Sequence, residues 1–264
     1  MKREITVVKV GGNVIDSQDA LLEFISVFAR IPGEKLLVHG GGKVATQIAS
    51  KLGVESQMIE GRRVTGDEMI DVAVMTYAGL VNKKIVALLQ REGIAAFGLT
   101  GADGNSILAE KRPLQDGIDY GWVGDITRVN AGFIQQLLGI GFTPIFCALT
   151  HDGAGQMLNT NADTIANEIA IALTGHFEVK LNYCFELPGV LQNVAEPKSL
   201  IKEMNFPGYQ KLKKEGIVSQ GMVPKLDNAF RALSEGVNAV NILNMDSLSQ
   251  LINNKNHDGY TRLY

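Results

Sequence analysis

The chain has 264 residues, of which 45% are hydrophobic and 20% charged, and a formal net charge of −3 at pH 7. That is enough apolar mass for one large domain or two lobes, and without a basic excess neither nucleic acid nor an anionic membrane surface is an expected partner. Cys147 and Cys184 lie in apolar stretches without metal-ligand spacing and read as inert buried thiols.

The apolar run behind Met1-Lys2-Arg3 is interrupted by Lys9 and stops at Asp16, too short for a signal peptide. No other segment reads as a membrane span, so a cytoplasmic enzyme is the expectation. The first strand pattern, 5–10, ends at Gly11-Gly12, and the second, 35–39, ends at Gly40-Gly41-Gly42. Glycine at a strand's C-terminal end removes Cβ and lets a ligand approach the backbone N–H groups. A helical pattern follows each loop (Val44, Ile48 and Leu52 after the second), and a helix N-terminus favours an anion. Two such loops point to two anionic groups held close together.

Further along, Thr65-Gly66-Asp67-Glu68 reads as a capping box opening a long helix that ends near Gly93. A strand is expected over 94–98. The glycine-rich stretch 101–130, with β-like pieces around Trp122-Val123 and 126–129, reads as hairpins. Strands follow at 143–148, 177–183 and 237–243. Between them, Asn161 caps a helix from Ala162 with Ile165, Ile169 and Leu173 at helical spacing. Pro224 opens another helix with the stripe Met222, Leu226, Phe230 and Leu233. The alternation predicts an α/β fold with a mainly parallel, helix-flanked sheet shared by two lobes.

Several residues invite chemical roles. Gly40 to Ala45 fits the dinucleotide fingerprint G-x-G-x-x-G/A, with Glu60 at a suitable distance, which leaves a nicotinamide enzyme open. Against it, the motif follows the second strand, and the first strand carries its own lysine-glycine loop. A Walker loop is absent. Lys9 is costly inside a buried strand unless it is paired or reaches a cleft; the alternative is a lysine snorkelling at a strand end. Lys225 sits at the margin of its helix's apolar stripe and could be a surface lysine. Asp163 lies opposite the apolar stripe of its helix, where a first-turn carboxylate complements the dipole and needs no further role. Arg63 could clamp a carboxylate or lie on the surface. None of the four histidines has a nucleophile or base partner in sequence, and His39 reads as structural.

In order, Val8-Lys9-Val10-Gly11-Gly12, His39-Gly40-Gly41-Gly42, Gly61-Arg62-Arg63-Val64-Thr65, Val123-Gly124-Asp125-Ile126, Leu158-Asn159-Thr160-Asn161-Ala162-Asp163 and Gly221-Met222-Val223-Pro224-Lys225 resemble the motifs of the amino-acid kinase family, over nearly the whole chain. The resemblance implies an open αβα sandwich with a mainly parallel central sheet. Residues 1–176 would form an N-terminal lobe for the amino-acid substrate and dimerisation, and 177–264 a C-terminal lobe for ATP. It implies transfer of a phosphoryl group from ATP, with Mg2+, to the γ-carboxylate of an N-acylated glutamate in arginine biosynthesis. N-acetyl-L-glutamate is the first choice of substrate and N-succinyl-L-glutamate the second. Lys9 and Lys225 would stabilise the transferring phosphoryl group and Asp163 would organise both lysines. Gly41, Gly42, Arg63 and Asn159 would hold the acylated glutamate. Gly11 and Gly12, with Glu186, Gly189, Leu191, Ile217 and Ser219, would meet the nucleotide, and no protein metal site is implied.

The chain departs from the family pattern at Glu186, usually aspartate, and at Arg62, usually apolar. If the segment around Arg62 is extended, its side chain points away from that of Arg63. The start directly at the first strand, without the helix of arginine-inhibited members, implies an arginine-insensitive homodimer. A catalytically silent ligand sensor of the same fold is the alternative from another class.

Overall fold

A computed structural model describes residues 2–59, 62–193, 195–218, 222–253 and 259–264. One sheet contains β1 (Arg3–Val10), β2 (Glu34–His39), β3 (Ala96–Leu99), β4 (Thr143–Cys147), β5 (Phe177–Phe185), β6 (Glu203–Met204), β7 (Ala239–Asn244) and β8 (Thr261–Leu263), in the order β6-β8-β7-β5-β1-β2-β4-β3. Every neighbouring pair is parallel except β7 with β8. The apolar strands are buried on both faces, as a helix-flanked parallel sheet requires. Ile5, Val7, Leu181 and Tyr183 face one core, and Val8, Val10, Leu37 and Cys184 face the other.

The helices are α1 (Gly12–Asp16), α2 (Gln18–Ala29), α3 (Gly42–Leu52), α4 (Asp67–Arg91), α5 (Ala131–Gly139), α6 (Ala162–Leu173), α7 (Phe206–Lys214), α8 (Val223–Ser234) and α9 (Met245–Ile252). Helix α4 is π-helical over Val74–Val81. By length and composition it could cross a bilayer, but it packs on the sheet, burying Met69, Val72, Tyr77, Ile85 and Leu89. The expected hairpin is present within 101–130: Ile107–Lys111 pairs antiparallel with Gly124–Val129.

Five sequence expectations need correcting. Ile94 and Val237 are not strand starts. Each follows a left-handed glycine (Gly93, φ 77°; Gly236, φ 97°), and its amide closes the preceding helix by donating to Leu89 O and Ala232 O, both at 3.0 Å. Thr65 does not cap α4. Gly66 is the N-cap and no side chain bonds there, because the Thr65 hydroxyl is engaged elsewhere. Leu52 is 57% exposed, and α3 buries its alanines, Ala45 and Ala49, instead. Asp163 does not lie on a solvent face, since α6 is buried almost all round.

Candidate active site

Parallel pairing aligns the strand ends that matter. Lys9 sits beside Val38 of β2 and Tyr183 of β5, and Val10 beside His39 and Cys184. The two glycine loops therefore emerge side by side at the C-terminal edge of the sheet, where open α/β sheets bind ligands. Lys43 of α3 reaches across to α1, hydrogen-bonding Asn13 and lying 3.7 Å from Asp16. The Gly11 amide is not a free donor, since it bonds Cys184 O at 2.8 Å. The unpartnered first-turn amides of α1 begin one residue later, at Gly12.

Alternation along β1 turns Lys9 onto the face covered by α6. Its Nζ lies 2.8 Å from Asp163 Oδ1, and Lys225 Nζ of α8 lies 3.7 Å from Asp163 Oδ2. Asn161 caps α6 as expected, accepting from the amides of Asp163 (2.7 Å) and Thr164 (3.2 Å), which fixes the turn that carries the aspartate. Burial pushes the Asp163 carboxyl up, but Lys9 and Lys225 outweigh it and hold the carboxyl below the ordinary carboxylate range. Burial lowers the pKa of Lys225, with Lys9 adding to the effect and Asp163 and Glu186 opposing it. A lone buried lysine or a helix-starting acid does not describe this arrangement. The site is a compact triad of two cations on one anion.

The second glycine loop forms the adjoining wall. Gly41 has φ 153°, and a Cβ there would lie 3.1 Å from the Tyr77 ring and 3.4 Å from Val81, both in the π-helical part of α4. Arg63 is buried, donating to Gly42 O and Thr46 Oγ1, both at 2.8 Å, and to Ser56. Arg62 points the other way and bonds Gln115 at the surface. Asn159 Nδ2 donates to Thr65 Oγ1 (3.0 Å), and Thr65 donates to Arg63 O (3.2 Å). One short segment thus carries Asn159 into this wall and Asp163 into the triad, while Gly40 approaches Ala162 between them.

His39 is fully buried and structural, as its sequence context implied. Its Nδ1 donates to Gly40 O (2.8 Å), and its Nε2 accepts from Asn82 Nδ2 (3.0 Å) at the end of the π-helical segment. Tyr77, Asn82 and Phe185 join the site without any local motif to mark them, and Thr65 joins it in a role its capping-box spacing does not show. Their signal is spatial.

The residues expected at the nucleotide are less tightly grouped. Exposed Glu186 follows β5 and acts electrostatically on Lys225 and Asp16. Gly189 has no room for a Cβ, which would lie 2.4 Å from Thr261 Oγ1, and buried Leu191 bridges to Leu200. Ile217 borders a hollow of about 500 Å³ with Met204, Leu212 and Tyr264. Ser219 lies outside the described residues, as do Glu60, Gly61 and Gly221. A larger cavity of about 830 Å³, lined by Glu4, Thr6 and Lys180, opens at the other end of the strands and touches none of the predicted site residues.

The amino acid kinase family model matches residues 4–244. The chain belongs to the amino acid kinase family. Within that family it is 51% identical to an acetylglutamate kinase of Cytophaga hutchinsonii over 95% of both chains. It is 49% identical to an acetylglutamate kinase of Phocaeicola vulgatus, over 91% of this chain and 93% of that one. Among solved structures it resembles smu.665 from Streptococcus mutans, with a TM-score of 0.76 at 28% identity, over 90% of this chain and 94% of that one.

Proposed function

We propose that this kinase transfers the γ-phosphoryl group of ATP to the γ-carboxylate of N-acetyl-L-glutamate, giving N-acetyl-L-glutamyl 5-phosphate for arginine biosynthesis. The carrying observation is the Lys9–Asp163–Lys225 triad adjoining the Gly40–Gly42, Arg63 and Asn159 wall at one sheet edge, in a chain similar to acetylglutamate kinases over nearly its full length. The acceptor carboxylate, with a pKa of about 4.3, is already ionised at neutral pH and needs no general base. That accords with the buried, bonded state of His39. The obstacle is bringing a carboxylate towards a polyanionic phosphate, so catalysis rests on positioning and on cations.

Lys9 and Lys225 meet the transferring phosphoryl group, and Asp163 keeps the two ammonium groups together without cancelling both charges. Arg63, braced by Gly42 O and Thr46, presents its guanidinium to a carboxylate of the acylated glutamate, with Asn159 and the Gly41–Gly42 backbone beside it. Gly11 and Gly12 approach the phosphates, the latter with the free first-turn amides. Glu186, Leu191, Ile217 and Ser219 line the nucleotide, while Gly189 shapes that wall by its packing on Thr261. In this division residues 1–176 take the acylated glutamate and 177–264 take ATP.

Mg2+ fits as a companion of the nucleotide rather than as a resident ion. No group of three or more acidic, histidine or cysteine side chains that could hold a metal is present among the described residues, and Asp163 is occupied by two lysines. Mg2+ needs few protein ligands when phosphates supply oxygens, and Asp16 and Glu186, which act on each other electrostatically, are the carboxylates that would meet it. Bound there, it would neutralise phosphate charge. The surface position of Arg62 favours the acetyl over the succinyl substrate, because that cation is turned away from the wall.

The chain acts in the cytoplasm as a homodimer, pairing through the region of edge strand β3, where Phe97 is 41% exposed. Light scattering at twice the chain mass supports that assembly, and a monomer refutes it. The activity is tested by trapping acyl phosphate as the hydroxamate from ATP with N-acetyl-, N-succinyl- and free L-glutamate in parallel. Preference for N-acetylglutamate is expected; activity with free glutamate alone, or with none of the three, overturns the proposal.

A further inference from the structure

Phe185 ends β5 one step beyond the Val10–Cys184 pair, on the face that carries Lys9 and Tyr183. Its ring centroid lies 3.8 Å from Lys225 Nζ and 4.9 Å from Lys9 Nζ. The ring is held on several sides. It lies nearly parallel to Tyr183 (centroids 6.1 Å apart, 7° between planes), whose hydroxyl donates to Asp163 O at 3.5 Å. A Cβ on Gly11 would come within 3.3 Å of both Phe185 Cδ1 and Cys184 O, so the first glycine loop leaves the space that the ring edge uses.

Two ammonium groups share a single carboxylate here, and the side chains of Lys9 and Asp163 are only 9% and 12% exposed. A second carboxylate would satisfy the surplus cation, but it would cancel the charge that phosphoryl transfer needs. An aromatic face attracts a cation through its quadrupole and carries no charge of its own, and the attraction strengthens as water is excluded. We infer that Phe185 is a positioning residue for phosphoryl transfer, its ring steadying both ammonium groups at the strand ends while leaving their surplus positive charge for the phosphates. The inference rests on the kinase reading for its consequence but not for its geometry.

The groups that face the Lys225 ammonium are Asp163 from α6, Lys9 from β1 and Glu186 beyond β5. All remain in Phe185→Leu, which retains apolar bulk and loses the ring. This variant is expected to lower kcat about tenfold, to leave KM for ATP and N-acetylglutamate within about twofold, and to move the alkaline limb of the kcat profile to lower pH. Phe185→Tyr should restore all three. Independently of substrate, NMR of lysine-labelled protein should show ring-shifted Lys225 ε-methylene signals in wild type and Phe185→Tyr that are lost in Phe185→Leu. Unshifted signals in wild type overturn the inference even if the leucine variant does not fold. So does an unchanged kcat and alkaline limb in Phe185→Leu, or a kcat loss without a limb shift that tyrosine fails to rescue. If wild type makes no acyl phosphate but the signals behave as expected, the substrate assignment fails and the ring's role towards the lysines stands.

Discussion

At the residue scale, burial sets the chemistry more than residue type does. Lys9, Asp163 and Lys225 each had an ordinary local explanation, and only their meeting at 2.8 and 3.7 Å removes it. His39 gives a sharper test. Burial pulls its pKa from 6.5 down to about 4, opposed by its bond to Gly40 and aided by Lys83. An unfolded chain binds this proton near pH 6.5 and the folded chain only near 4, so the stability is fully present above 6.5. It declines as pH falls towards 4, by about 3 kcal/mol in all. Urea melts of His39→Gln should therefore have a flatter pH dependence than wild type across that window; an unchanged slope assigns the effect to other groups.

At the scale of elements, six of the sheet's strands and its mainly parallel character were legible, because apolar runs alternating with helical periodicity leave few other folds, whereas the strand order and the short edge strands β6 and β8 carry no local signal. Boundaries were not legible either. Ile94 and Val237 are apolar residues that extend a strand pattern in sequence, but each serves the end of a helix. Thr65 has the spacing of a capping box yet bonds Arg63 O and Asn159, a partner far along the chain. The π-helical stretch of α4 had no periodic signature, although π-bulges are frequent at functional sites, and here it supplies Tyr77 and Val81 against Gly41. Gly41→Ala must place a Cβ 3.1 Å from the Tyr77 ring at φ 153°, which should cost about 1–3 kcal/mol. Thermal melts should register that loss, and KM for N-acetylglutamate should rise while KM for ATP stays near wild type. Equal rises in both constants would remove Gly41 from the substrate wall.

At the scale of the whole molecule, the site depends on two helices that are well separated along the chain. Helix α6 carries Asp163 and α8 carries Lys225. Arg231 of α8 joins them by pairing with Glu168; with the Asn167 amide oriented oxygen towards Arg231, as its neighbours require, Arg231 also donates to Asn167 and the Asn167 amide nitrogen donates to Asn228 O, both at 2.9 Å. Arg231→Ala should reduce kcat several-fold and stability by about 1 kcal/mol; unchanged kcat would show that the Lys225–Asp163 distance is maintained without this link. The fingerprint-like second glycine loop illustrates the limit of local reading. Its glycines resemble a dinucleotide site until β1 is placed beside it with Lys9, and then the two loops stand side by side at one sheet edge, the walls that the proposed reaction assigns to donor and acceptor. The most direct test of that geometry is a single-turnover measurement of acyl phosphate formation by Lys9→Ala, with N-acetylglutamate affinity measured by calorimetry. The chemical step should fall by about 10²–10³-fold while affinity changes little. Near-normal turnover in Lys9→Ala would contradict the account.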